Sequence, residues 1–433
     1  MSKTLHSQPG QSSLAVSGLF SRRRVVFIAV GIMIVSALFL GVGMIWAKGG
    51  MTPWHTTVGG DFPAYYVAGQ ILREAGPSHL YDRLLQVHRY HELIPNETPR
   101  ATLPYAYPPA LALVMSPLTR LSYLAATLAW AGICLALYAA GVGLLWRTCD
   151  AIGRADRVVA VLFCLAFEPF IVECIHGGQL CAVGFFAVCA ALALHRGGKF
   201  FAAGLALGLL AYKPTLLLAL LPAPALGRQW RMLAGIAATV CAGAVLGIAA
   251  MGMGPTIDFL KLMCTYAHAV SAGAGFPLFK YVDICAFVKL LEHRPDAQVW
   301  PVAIVGILVA GTLAGRAFRS ARYSAAWIIM LMGLLVCNLY VGIYDSVLAA
   351  AALWLMADAS YRRDGRLSED VRWLIVAVFI APWVTQLTAR FLGVQIFTLV
   401  LAAVAAQPII RRLGREKLEA PASDPLLLAH LVQ

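Results

Sequence analysis

Charge is what this sequence has least of. Asp, Glu, Lys and Arg make up 13% of its 433 residues, against roughly 25% in soluble domains, while hydrophobic residues make up 60% and the mean hydropathy is +0.76. That balance excludes a water-soluble globule and puts the chain in lipid. Sustained apolar/polar alternation is also lacking, which argues against a transmembrane β-barrel. The ten cysteines form no CxxC pair and no Cys/His set at zinc spacing, so they read as small apolar residues inside hydrophobic runs. Cys264 and Cys285 share one outer segment and could be joined, though nothing in the sequence requires it. There is no Walker A loop, no GxGxxG after a strand and no GxSxG elbow, which leaves nucleotide hydrolysis and esterase chemistry without support.

What the chain does have is apolar runs, near 25–46, 122–146, 158–173, 180–194, 200–212, 214–226, 233–253, 299–318, 324–341, 346–359, 373–389 and 391–410. These predict an all-α polytopic membrane protein with about twelve transmembrane helices, some of them short or broken. Arg22-Arg23-Arg24 before the first run mimics a signal peptide, but that run is too long for an h-region and no small-residue cleavage site follows, so it reads as an uncleaved span. Most of the 34 Lys and Arg fall in every second loop, in 1–24, 147–157, 195–199, 228–231, 316–322, 362–372 and 411–417. The positive-inside rule makes those loops and both termini cytoplasmic. It also accounts for the net charge of +13 without a nucleic-acid partner. The expected organisation is a tail at 1–24, one membrane domain at 25–410 and a second tail at 411–433, with outer segments 47–121 and 254–298.

Two features depart from a plain bundle. The run 200–226 is flanked on both sides by basic loops that belong inside, so it must turn back at Lys213-Pro214. Each half rises only about 20 Å, which puts the turn within the membrane, in a protein-lined cavity. The stretch 158–194 does the same around Glu173–Gln179. In the first outer segment, Tyr65, Ala68, Ile71 and Leu72 lie at helical spacing and predict an amphipathic interfacial helix over 62–75; 108–118 is too short to span and reads as another. The second, 254–298, is a mixed segment suited to covering a substrate.

Unusual polar residues gather at the outer ends of these spans: Asp61, Glu173, His176, Gln179, Lys213, Tyr344 and Asp345. Groups of this kind beside lipid usually line a cavity. Asp61, ahead of Pro63, is a helix N-cap, a general base, or both. Lys213 either snorkels to headgroups or joins the N-terminus after Pro214 to hold an anion. Gly177-Gly178 permits close backbone approach or merely a tight turn. Asp345 reads as a cap. His88, His91 and Glu92 have a spacing that could bind metal, although exposed helical histidines are usually solvated.

In order along the chain, several short motifs then come into view: Gly60-Asp61-Phe62 with Tyr65-Tyr66 and Ala68, Leu80-Tyr81-Asp82, Tyr107-Pro108-Pro109 with Ser116-Pro117-Leu118, Gly178-Gln179, Lys213-Pro214 and Tyr344-Asp345. Over residues 55 to about 360 the chain resembles family 87 of the glycosyltransferases, membrane enzymes of the GT-C fold. The stretch Val341-Gly342-Ile343 before Tyr344 departs from the family pattern. The resemblance implies transfer of a sugar, typically mannose, from a polyprenyl-phosphate donor to a lipid or glycan acceptor by inverting displacement, on the outer face of a bacterial inner membrane. It implies Asp61 as base, Lys213 and His176 on the donor phosphate, Tyr65, Tyr66, Tyr107, Gln179, Tyr344 and Asp345 as pocket residues, and no metal or other cofactor. The competing class is a secondary transporter, which also uses broken helices.

Overall fold

The computed structural model describes residues 22–96, 102–272 and 277–419. Among them there are helices and isolated bridges but no strand. Every apolar run in the sequence falls on a helix. Seven are long and apolar enough to cross a membrane: Arg22–Ile45, Tyr123–Thr148, Arg154–His176, Trp230–Met251, Trp300–Arg319, Ile343–Asp364 and Glu369–Leu392. The others are shorter: Cys181–Arg196, Phe200–Tyr212, Pro214–Leu226, Tyr323–Val336 and Ile396–Arg411. Burial grades from the rim to the centre. Arg22–Ile45 buries only Ala29 and Gly43, whereas Tyr323–Val336 buries every residue from Ala326 to its end.

The breaks have local causes. Proline supplies no N–H and pushes the residue before it out of the α region. Accordingly the helix Phe200–Gly208 tightens into a 3-10 turn at Leu209–Tyr212, Lys213 adopts φ −129° and ψ 89°, and a new helix starts at Pro214. The chain does turn back there. Gly204 packs on Met232 and Gly235, and Gly208 on Ile236 and Thr239, so Phe200–Gly208 and Trp230–Met251 run parallel and the segment between them must return. A Cβ on Gly204 would stand 1.9 Å from the Met232 carbonyl oxygen, a crossing that only small residues allow.

Three loops predicted to share the inner side do meet. Arg196 and Arg362 both pair with Asp150 and Asp358, joining the basic loops around 150, 196 and 362. Arg22 pairs with Asp156, and Arg411 with Asp370.

The outer segments differ from expectation. Phe62–Glu74 is helical but is no surface helix: Phe62 through Gly69 and Ile71 are all buried. Gly69 lets it approach the backbone at Met115 and Ser116 so closely that a Cβ would stand 3.0 Å from either, so Pro109–Met115 and Ser116–Arg120 cover the face meant for solvent. The segment read as mixed contains a 20-residue helix, Met253–Ala272, and a short one, Ile284–Leu291. It is tied to the turn before Tyr344. Val282 N–H donates to Val341 O at 2.9 Å, and Asp283 accepts from Val341 N–H at 2.9 Å while capping the helix at Ala286.

Candidate active site

Two glycine turns set the position of Asp61. Gly59 and Gly60 have φ of +75° and +53°, and Gly178 has +65°, values that glycine alone adopts freely. A Cβ on Gly60 would lie 2.5 Å from the Gly177 oxygen, and one on Gly178 2.2 Å from the Gly59 oxygen. The turns therefore meet backbone to backbone, and Asp61 N–H donates to Gly177 O at 2.9 Å. Trp130 Nε1 donates to Gly178 O at 3.0 Å, and the Cys134 and Cys174 thiols face Gln179 O at 3.7 and 3.4 Å.

This lock delivers Gln179 to Asp61. Its Nε2 donates to Asp61 Oδ2, and its Oε1 lies 3.4 Å from the Tyr65 hydroxyl, which donates to Tyr107 at 3.0 Å. Asp61 Oδ1 carries no hydrogen bond among the described residues. The capping role left open for Asp61 is not present. The residue has helical φ −88° and ψ −9°, so its side chain does not fold back over the first turn, and Pro63 offers no N–H. Asp82 and Asp283, in extended conformation, do cap their helices. Burial raises the Asp61 carboxyl above its ordinary value, opposed by the Gln179 hydrogen bond and by the positive charge of Lys280.

A second cluster surrounds Lys213. Its Nζ donates to Asp345 Oδ2 and to Tyr344 OH at 3.3 Å, and it stands 4.7 and 5.2 Å from the ring centres of Tyr344 and Tyr340. The ammonium is therefore paired with a buried carboxylate. Asp345 also accepts from Gly342 N–H at 3.1 Å, a cap reached from inside the turn rather than from its edge. Tyr107 links the clusters: it is bonded to Tyr65, and its phenol feels the carboxylates of both Asp61 and Asp345.

Asp61, Gln179, Tyr65 and Tyr107, joined by hydrogen bonds, and Lys213, Tyr344 and Asp345, joined likewise and acting on Tyr107 by charge, make up the polar group of the site. Two expected residues do not join it. Tyr66 OH donates to Leu121 O at 2.9 Å, on the other side of its helix. His176 Nε2 lies 2.6 Å from Ser36 Oγ, beside Phe39 of the first span, because the π-helical turn Pro169–His176 points it there. His88 pairs with Glu92 on an exposed helix face, and no group of three metal-ligating side chains occurs among the described residues. Cys264 and Cys285 are both free. The sequence passed over Tyr340 and underused Tyr281, which hydrogen-bond each other at 2.8 Å above Lys213. Their signal was modest: Tyr281 lies in the second outer segment, and Tyr340 stands near the end of an apolar run, four positions before Tyr344.

The arrangement supplies a carboxylate with one oxygen fixed and the other open, next to phenols and a paired ammonium. It suits deprotonation of a hydroxyl beside a polar substrate. The profile of glycosyltransferase family 87 matches residues 105–341, more than half of the chain. The match begins beside Tyr107 and stops just before Tyr344, so Asp61 enters the matched region through its contacts with Gly177 and Gln179. No curated protein and no solved structure matches the chain. A glycosyltransferase, rather than a transporter, is what the match supports: the chain belongs to glycosyltransferase family 87.

Proposed function

We propose that this protein transfers a sugar, mannose in our reading, from a polyprenyl-phosphate donor to a hydroxyl of a lipid or glycan acceptor. The reaction lies on the outer face of a bacterial inner membrane, with both chain termini cytoplasmic and a GT-C-like fold. Nucleotide sugars are scarce outside the cytoplasm, which favours a donor carried across on lipid. Asp61 is the general base. Its Oδ1 takes the acceptor proton as the acceptor oxygen bonds to the anomeric carbon, and the bond from that carbon to the phosphate oxygen breaks with its electrons leaving on the phosphate. The configuration inverts in one displacement, and no metal or cofactor takes part. Tyr65 and Gln179 position the base, while Tyr107, Tyr344 and the Lys213–Asp345 pair form the polar wall against the donor.

The observation carrying this reading is the Asp61 carboxylate, held at one oxygen by Gln179 and free at the other. The test is to supply the purified protein with labelled polyprenyl-phosphate mannose and, separately, labelled GDP-mannose. Label reaching a lipid or glycan from the first alone is expected. Direct use of the nucleotide sugar would overturn the donor assignment.

A further inference from the structure

A departing lipid phosphate needs positive charge, and the buried lysine of the site is already paired with Asp345. Lys280 and Arg390 make no salt bridge among the described residues. Lys280 is exposed at the end of the turn Leu278–Lys280, and Arg390 is exposed in the last turn of Glu369–Leu392. They share one surface, since the Arg390 guanidinium stands 5.7 Å from the ring centre of Phe279.

The backbone under Lys280 is fixed although its side chain is unpaired. Buried Gln395 donates Nε2 to the carbonyls on both sides of it, Phe279 O at 3.1 Å and Tyr281 O at 2.8 Å. The next residue, Tyr281, hydrogen-bonds Tyr340 at 2.8 Å, and the Tyr340 ring centre stands 5.2 Å from the Lys213 ammonium, so this turn borders the site; the positive charge of Lys280 also bears on Asp61. On the helix that carries Arg390, Leu387 and Phe391 are exposed apolar residues in a candidate membrane span. A cationic head site thus adjoins a greasy track.

Resting on the transferase reading above, we infer that Lys280 and Arg390 receive the phosphate of the polyprenyl-phosphate donor, with its hydrocarbon tail lying along Leu387 and Phe391. Guanidinium and ammonium groups make charge-assisted hydrogen bonds to phosphate oxygens, and the planar guanidinium, weakly hydrated, suits a membrane boundary.

The test measures binding of polyprenyl monophosphate to the full chain in nanodiscs of zwitterionic lipid, with inorganic phosphate and phosphatidylglycerol as separate competitors and sugar transfer assayed in parallel. Lys280→Gln and Arg390→Gln are each expected to weaken binding roughly 10-fold to 100-fold, and Lys280→Arg to retain it. Neither competitor should displace the ligand at matched concentration. Wild-type affinity in the Gln variants, an equal loss in Lys280→Arg, or displacement by phosphatidylglycerol or inorganic phosphate would overturn the site. If wild type transfers sugar while the Gln variants bind normally, this inference alone fails. If wild type neither binds the lipid phosphate nor transfers from it, the transferase reading fails with it.

Discussion

The side-chain amide of Gln179 donates to one carboxylate oxygen of Asp61 across 118 positions of sequence and leaves the other oxygen open. Gln179→Leu removes that donor while keeping the bulk. Transfer is expected to fall by roughly tenfold or more through misorientation of the base, with donor affinity unchanged. Gln179→Glu instead places a like charge beside Asp61 and should move the activity profile to higher pH. Steady-state kinetics across pH distinguish the two effects, and normal turnover in both variants would remove Gln179 from the mechanism.

Asp61→Asn should retain the fold, because the carboxylate makes no cap bond and the amide oxygen can still accept from Gln179. Turnover should fall about 10²–10⁴-fold, the usual loss for a general base. A stable, well-expressed variant with near-normal turnover would exclude the assignment.

The raised pKa of Asp61 has a definite sign. Burial favours the protonated acid, which is no base, so activity should be low in acid and rise with pH through a midpoint above the ordinary carboxylate value. The rate profile with saturating donor reads this midpoint. A profile flat from pH 4 upward contradicts it.

Lys213→Ala leaves Asp345 buried beside its unpartnered Oδ1. Breaking one side of a buried pair costs about 3–5 kcal/mol, so the variant should lose thermal stability before any kinetic defect can be read. Lys213→Ala combined with Asp345→Ala removes both charges and should recover part of that loss. Additive losses would mean that the pair is not coupled.

Asp283 is pushed up to about 6 by burial, from an ordinary 3.8. A raised carboxyl means that the folded state holds its proton more tightly than the unfolded chain does. Its contribution is therefore full below the ordinary value and is lost as pH rises through about 6. Protection factors at Val282 and Ala286, with the intrinsic rise of exchange with pH divided out, should fall across that range in wild type and stay level in Asp283→Asn.

Much of this was legible because its causes are local. Pro214 and the Gly177–Gly178 pair are local signals that favour a break in a helix, and the breaks fall there. The companions of these breaks were not legible. Nothing near Lys213 announces Asp345, 132 positions away, or directs His176 to Ser36. The helix Phe62–Glu74 misled for another reason: Tyr65, Ala68, Ile71 and Leu72 mark a single apolar stripe, yet Tyr66, Val67 and Gly69 beside it are buried too, with the Tyr66 hydroxyl satisfied on Leu121 O. Met253–Ala272 was missed because Asp258, Lys261 and His268 interrupt its apolar pattern.

The backbone lock between the two glycine turns also fixes an order of events during synthesis. Chains emerge from the N-terminus, so Asp61 is made well before Gly177, Gly178 and Gln179 exist. Until that later hairpin is inserted, Asp61 lacks the Gly177 carbonyl and the Gln179 amide that hold it, and the proposed site is incomplete. Any variant that delays insertion of 158–194 would therefore yield chains that are in the membrane, intact and inert.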